Sequence, residues 1–194
     1  MNAHSRHLVL IAAIVALVQI GVLASMIVSR AAILRDGQEV MLEVQPVDPR
    51  DLLRGDYVRL GYNISSVPAE LFEDAGNEPG KAASYTVFVR LQPGAGGIWQ
   101  PVAARFGAPP AAPIGVDMVD VRGTSLIGDP AGAKSIAVDY GIERFYLPEG
   151  EGRAVEENLR ERNFRMVVAV SREGAAQIKA FYDGDTLIYR EPLY

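Results

Sequence analysis

Two hydrophobic patterns divide the chain. From Leu8 to Ser29 twenty-two residues pass without a charge, and Gln19 is the only strongly polar side chain among them. No charge interrupts this run on any helical face, unlike an amphipathic helix packed on a core. About 20 apolar residues cross the hydrocarbon core as a helix, so the run is long enough to span a bilayer. A cleaved leader has a shorter apolar region of about 7–15 residues and a small-x-small site. Ala24-Ser25-Met26 and Ser29-Arg30-Ala31 are poor matches to such a site. The expectation is an uncleaved, single-pass anchor. Ala12, Ala13, Ala16, Gly21 and Ala24 allow close helix packing without forming a GxxxG pattern.

Beyond the anchor the period shortens to two. In Glu39 to Gln45, Val40, Leu42 and Val44 share one face, as in a half-buried strand. Tyr57–Tyr62, Tyr85–Gln92, Ile98–Ala104, Ile114–Arg122, Ser135–Tyr140, Glu143–Leu147 and Phe164–Ser171 read as further strands. The loop from Pro93 to Gly97 predicts a hairpin, and Asp183-Gly184 predicts another between Gln177–Tyr182 and Thr186–Tyr189. One short helix is expected over Glu151–Asn163, where Val155 and Leu159 stand four apart beside Glu156 and Arg160 at the same spacing. The predicted fold class is mainly β (α+β), a barrel- or sandwich-like domain with one short helix after the transmembrane helix. The expected organisation is a tail over 1–7, the span over 8–29, a juxtamembrane linker over 30–38 and the β-rich domain over 39–194.

Charge and missing residue types exclude several functions. Both histidines, His4 and His7, precede the span and the chain has no cysteine, which removes Ser-His and Cys-His catalysis from the domain. It also removes zinc sites built on those ligands. Neither a phosphate-binding GxxxxGK[ST] loop nor a GxGxxG turn occurs, and no cofactor or metal is expected. After residue 30, seventeen basic residues face twenty-four acids, a formal charge of −7 that disfavours nucleic acid. The bases flanking the span are too evenly divided for the positive-inside rule to set orientation. The short N-terminal tail and long C-terminal domain favour an extracytoplasmic domain on the cytoplasmic (inner) membrane.

One charged stretch concentrates the candidate chemistry. Asp48-Pro49-Arg50 stops strand pairing, and Gly55-Asp56 makes a second turn before Tyr57. Strand parity then sends Val58, Leu60 and Tyr62 to one face, read as core. Asp48, Arg50, Asp51, Arg54 and Asp56 read as a loop lock of surface ion pairs, each worth about 0–1 kcal/mol. A second stretch from Tyr140 to Gly150 places Glu143 and Arg144 on opposite faces of a strand, with Tyr146 further on and Glu149 near the expected helix. A contact of Glu143 or Glu149 with Arg50 or Arg54 would join the two stretches. The placement of a proline and Gly-Asp-x-Val after an anchor is similar to Ser-Lys protease domains of the signal-peptidase kind. The position of their nucleophile is Pro46 here, so no hydroxyl is available and no catalytic residue is assigned.

Gly55-Asp56-Tyr57, Leu60 and Tyr62 match every named position of GDYxxLxY. With the preceding membrane run and the block Tyr140–Gly150, the chain resembles the GDYxxLxY family of bacterial membrane-anchored proteins. The family has no established biochemical activity. The resemblance implies a companion of larger multi-pass membrane proteins. The functional expectation is a non-enzymatic envelope domain that contacts the bilayer through Leu8–Ser29 and binds or stabilises a membrane-protein partner. The alternative is a ligand-binding or hydrolase domain using acids of the GDYxxLxY turn and the Glu143–Glu149 segment.

Overall fold

α1 runs from Ala3 to Asp36, and a single residue, Gly37, separates it from strand β1 (Gln38–Gln45). The computed structural model describes residues 3–45, 57–73, 83–130, 132–146 and 163–192. The expected helix over 151–163 therefore lies, but for Asn163, outside the described residues. The α1 stretch Leu10–Asp36 is long and apolar enough to span a membrane, with a mean hydropathy of 2.6. Its large apolar side chains from Leu10 to Val28 are 49–68% exposed. Ser25 and Ser29 donate their hydroxyls to the Val22 and Met26 carbonyls at 2.8 and 2.9 Å, so neither needs water.

The segment expected as a juxtamembrane linker is helical through Asp36. Ala31, Ala32, Ile33 and Leu34 favour the helix, and packing fixes it. Here α1 lies against the strands β10 (Phe164–Val170) and β11 (Ala176–Asp183), and Leu34 is 1% exposed. Gly37 closes the helix by donating to the Ile33 carbonyl at 2.9 Å. A Cβ there would stand 2.5 Å from the Ile33 oxygen and 3.0 Å from that of Val170, both backbone atoms. Gly37→Ala is expected to lower stability by about 1–3 kcal/mol, read as a reduced urea midpoint of the full chain in detergent.

β1 delivers the predicted alternation, with Val40, Leu42 and Val44 buried between exposed Glu39 and Glu43. It lies inside a five-stranded sheet of order β12-β11-β10-β1-β3, where β3 is Gly61–Tyr62 and β12 is Thr186–Arg190. Every pairing in this sheet is antiparallel. A second sheet, β6-β5-β7, is built from β5 (Tyr85–Pro93), β6 (Trp99–Phe106) and β7 (Val119–Ser125). The expected hairpins close both edges. Gly96 and Gly97 take φ of 66° and 78° between β5 and β6, and Gly184 takes 56° between β11 and β12.

Two ribbons complete the described strands: β2 (Tyr57–Arg59) with β9 (Arg144–Tyr146), and β4 (Ser66–Pro68) with β8 (Ser135–Ala137). One core joins the sheets, including Val40 and Leu42 of β1, Val87 and Val89 of β5, and Met166 and Val168 of β10. Fully burying each such side chain contributes about 1.5–3 kcal/mol. The fold is mainly β with one N-terminal apolar helix, and among the described residues its sheets do not close into a barrel.

Two strand expectations shift. Tyr57–Tyr62 is divided at Leu60, with β2 paired to β9 and β3 paired to β1. The segment expected as a strand from Ile114 begins only at Val119. Its preceding loop is held instead by the Arg90 guanidinium, whose Nη1 donates to the Ala112 carbonyl at 2.5 Å and whose Nη2 donates to that of Pro110 at 3.3 Å.

Candidate functional site

The two stretches singled out by sequence lie side by side. β2 and β9 pair antiparallel, with Tyr57 opposite Tyr146, Val58 opposite Phe145 and Arg59 opposite Arg144. One residue on, the Leu60 amide donates to the Glu143 carbonyl at 2.8 Å. Leu60 and Tyr62 are each 1% exposed, in keeping with the expected core face. Asp48, Pro49, Arg50, Asp51, Arg54, Gly55, Asp56 and Glu149 lie outside the described residues. The joint between the stretches therefore runs, among the described residues, through backbone pairing and tyrosine hydroxyls.

Those hydroxyls cross in opposite directions. Tyr62 donates to the Ile142 carbonyl at 2.7 Å, while Tyr140 donates to the Ile64 carbonyl at 2.8 Å. Each tyrosine thus caps a carbonyl two residues beyond the other. Burial pushes both phenols well above their ordinary pKa, with the Glu143 charge adding to the effect, so they remain donors at any physiological pH. Tyr62→Phe leaves the Ile142 oxygen without this donor in a dry core. The expected loss is about 1–3 kcal/mol in urea unfolding, with the sheet content by circular dichroism unchanged.

Glu143 is the titratable centre of the joint. It is 9% exposed, and its Oε1 accepts from the Tyr140 amide at 2.7 Å. Its Oε2 is buried without a hydrogen-bond donor. Burial pushes the carboxyl up to about 7; the Tyr140 amide opposes this, and the Asp139 carboxyl beside it adds to it. The orphan oxygen and the raised pKa have one resolution. A proton on Glu143 relieves the buried charge, and the Asp139 side chain beside it adds to the affinity for that proton. Asp139 is itself anchored by the Gly141 amide at 2.9 Å. Arg144, next in sequence, is exposed on the opposite side of the strand.

Among the described residues two clefts border this joint and a third, larger one lies at the end of α1. The largest, about 820 Å³, lies at the end of α1 and is lined by Asp36, Gln38, Ile114, Met118, Arg122 and Gly174 among others. A second of about 680 Å³ includes Arg122, Gly123, Asp139, Tyr140 and Gly141. The third, about 480 Å³, takes Gly141, Ile142, Arg144 and Phe145 from the second stretch and Arg30 from α1. Among the described residues no group of three or more His, Cys, Asp or Glu is placed to hold a metal ion.

A family model for the GDYXXLXY protein matches residues 19–181, from within α1 to near the end of β11. The chain belongs to the GDYXXLXY family. No curated protein and no solved structure matches. The naming motif of the GDYXXLXY family thus has a structural account at its second half. Leu60 and Tyr62 bury into the core, and Tyr62 fastens the motif to the second stretch.

Asp139 lies outside the two stretches singled out by sequence, and Tyr140 enters only as the first residue of the second. The only hint available was their position immediately before Gly141-Ile142-Glu143, because their partners lie about eighty residues away in sequence or depend on a turn at Gly141 with φ 79°.

Proposed function

We propose that this chain is a single-pass, membrane-anchored domain without catalytic activity, held outside the cytoplasm on the inner membrane, where it binds and stabilises a membrane-protein partner. The observation that carries the reading is the seamless junction at Gly37 between an all-round apolar helix and the sheet. Such a junction leaves the domain no slack. Residues 30–36 pack alongside the sheet, so the domain sits directly at the end of the apolar run. The cleft at Asp36 is then presented at a fixed height, suited to a partner that is itself embedded in the bilayer.

Capture of the full chain in mild detergent from its native membrane tests this. One integral membrane protein should be enriched, and its level should fall in a strain lacking the chain. Recovery of no such protein, with membrane-protein levels unchanged in the deletion strain, would refute the reading. A C-terminal reporter active only outside the cytoplasm tests sidedness.

A second reading, a ligand-binding or hydrolytic domain, is favoured by the raised carboxyl of Glu143 beside Asp139. It requires a substrate to reach a carboxyl that is 9% exposed. Glu143→Gln separates the two, since it abolishes acid chemistry while a partner surface retains its capture.

A further inference from the structure

We infer that the 480 Å³ cleft at the root of α1 binds the headgroup of a phospholipid carrying both a phosphate and a primary ammonium, as in phosphatidylethanolamine. The inference rests on α1 crossing the bilayer. Arg30 is the first charged residue after the apolar run and lines this cleft, so the cleft opens at the level where lipid headgroups lie. Its remaining walls combine Arg144 and Phe145 of β9, Ile178 of β11, Tyr189 of β12 and Glu191 just beyond it.

This lining matches the proposed headgroup chemically. Two guanidiniums suit the phosphate, which arginine binds with paired donors. Glu191 supplies the acceptor for an ammonium, and its Oε2 is fixed at the rim by the Tyr189 hydroxyl at 2.6 Å. Phe145 and Tyr189 meet edge to face at 5.3 Å and form a rigid aromatic floor for the glycerol and upper acyl carbons. A cleft of this volume lies within the range that holds small ligands, about 300–1,000 Å³. The cleft also explains why the second stretch carries Arg144 on its solvent side. That residue contributes to the cleft while its neighbour Glu143 faces the interior.

The test uses the full chain in phosphatidylcholine nanodiscs doped with either phosphatidylethanolamine or phosphatidylglycerol, with retained lipid measured by native mass spectrometry. Phosphatidylethanolamine is expected to be retained over both others by about tenfold. Phosphatidylcholine carries no ammonium donor, and phosphatidylglycerol carries no cation. Arg30→Gln combined with Arg144→Gln should remove that retention. Glu191→Gln should keep phosphate binding while erasing the preference over phosphatidylglycerol, a change that a merely unfolded variant cannot mimic. Urea midpoints of the variants monitor folding. Equal retention of all three lipids by the wild type overturns the proposal. So does a photo-crosslinker at Ile178 that captures a polypeptide in place of a lipid. Carbonate extraction of native membranes is run alongside. A chain that washes off refutes the span and the lipid site together, whereas a chain that stays but shows no selectivity refutes the lipid site alone.

Discussion

Asp120→Ala is expected to cost about 3–5 kcal/mol and to give the lowest urea midpoint of any single surface-loop or strand substitution considered above. Arg90 in the middle strand of the β6-β5-β7 sheet is 4% exposed, yet carries a full charge. Its Nε and Nη2 reach the two Asp120 oxygens at 2.8 and 2.9 Å, a bidentate pair across β5 and β7. The side chains are only 5% and 15% exposed, so water screens the pair poorly. The remaining donors bind the Ala112 and Pro110 carbonyls and hold the loop ahead of β7. Removing the carboxylate leaves a buried guanidinium with only neutral acceptors. Removing both charges is different: Arg90→Met with Asp120→Leu should recover most of the loss, because an apolar pair of similar size avoids desolvation altogether. The double variant should nevertheless loosen the loop, seen as faster amide exchange over 110–118, since the guanidinium that clamps its carbonyls is gone. A midpoint for Asp120→Ala within about 1 kcal/mol of the wild type would show that the pair is solvated and the clamp unimportant.

That clamp marks where sequence patterning stops being informative. The alternation in β1 was readable because Val40, Leu42 and Val44 carry their burial in their own chemistry. β10 and the β11–β12 hairpin were readable for the same reason, helped by Gly184 at the turn. Ile114 to Met118 also look like strand residues, but Ile114 is 54% and Val116 98% exposed. What decides their fate is an arginine more than twenty residues upstream, and no local period encodes that. The helical form of residues 30–36 was hidden for a similar reason. Polar Arg30, Arg35 and Asp36 interrupt the apolar run and look like an exit from helix, whereas Leu34 and Gly37 fit against β10 and extend it. At the candidate site, the core roles of Leu60 and Tyr62 followed from strand parity. The reciprocal tyrosine bonds did not, because each links positions more than seventy residues apart. Glu143 is legible as a candidate acid; burial does most to raise its pKa, and Asp139 adds to it, a residue that a period-two reading puts on the same face only if the strand is unbroken. Gly141 breaks it with a φ of 79° and brings the two carboxyls together.

The second large effect is a pH dependence that Glu143→Gln should abolish. In the folded chain the carboxyl titrates near 7, against about 4.5 for a free glutamate, because burial and Asp139 penalise its ionised form. A raised carboxyl pKa means that the folded state holds the proton more tightly than the unfolded one. Its contribution is therefore complete below pH 4.5 and is lost progressively as pH rises toward 7, after which it stays lost. At about 1.4 kcal/mol per pH unit, the loss is on the order of 3 kcal/mol by pH 8. Glutamine reproduces the protonated form permanently. Its oxygen accepts from the Tyr140 amide, and its amino group donates toward Asp139. Urea unfolding of the full chain in detergent should give equal stabilities for the two proteins near pH 4. By pH 8 the glutamine variant should be more stable by on the order of 3 kcal/mol. An identical pH slope in both would mean that the Glu143 carboxyl is solvated and ionised throughout. The same variant bears on function. If Glu143 were a reacting group, glutamine would abolish activity at every pH. If it serves to lock β9 beside β2, the glutamine variant retains partner capture and keeps the Arg144 cleft in place at pH 8, where the wild type must carry a buried charge behind it.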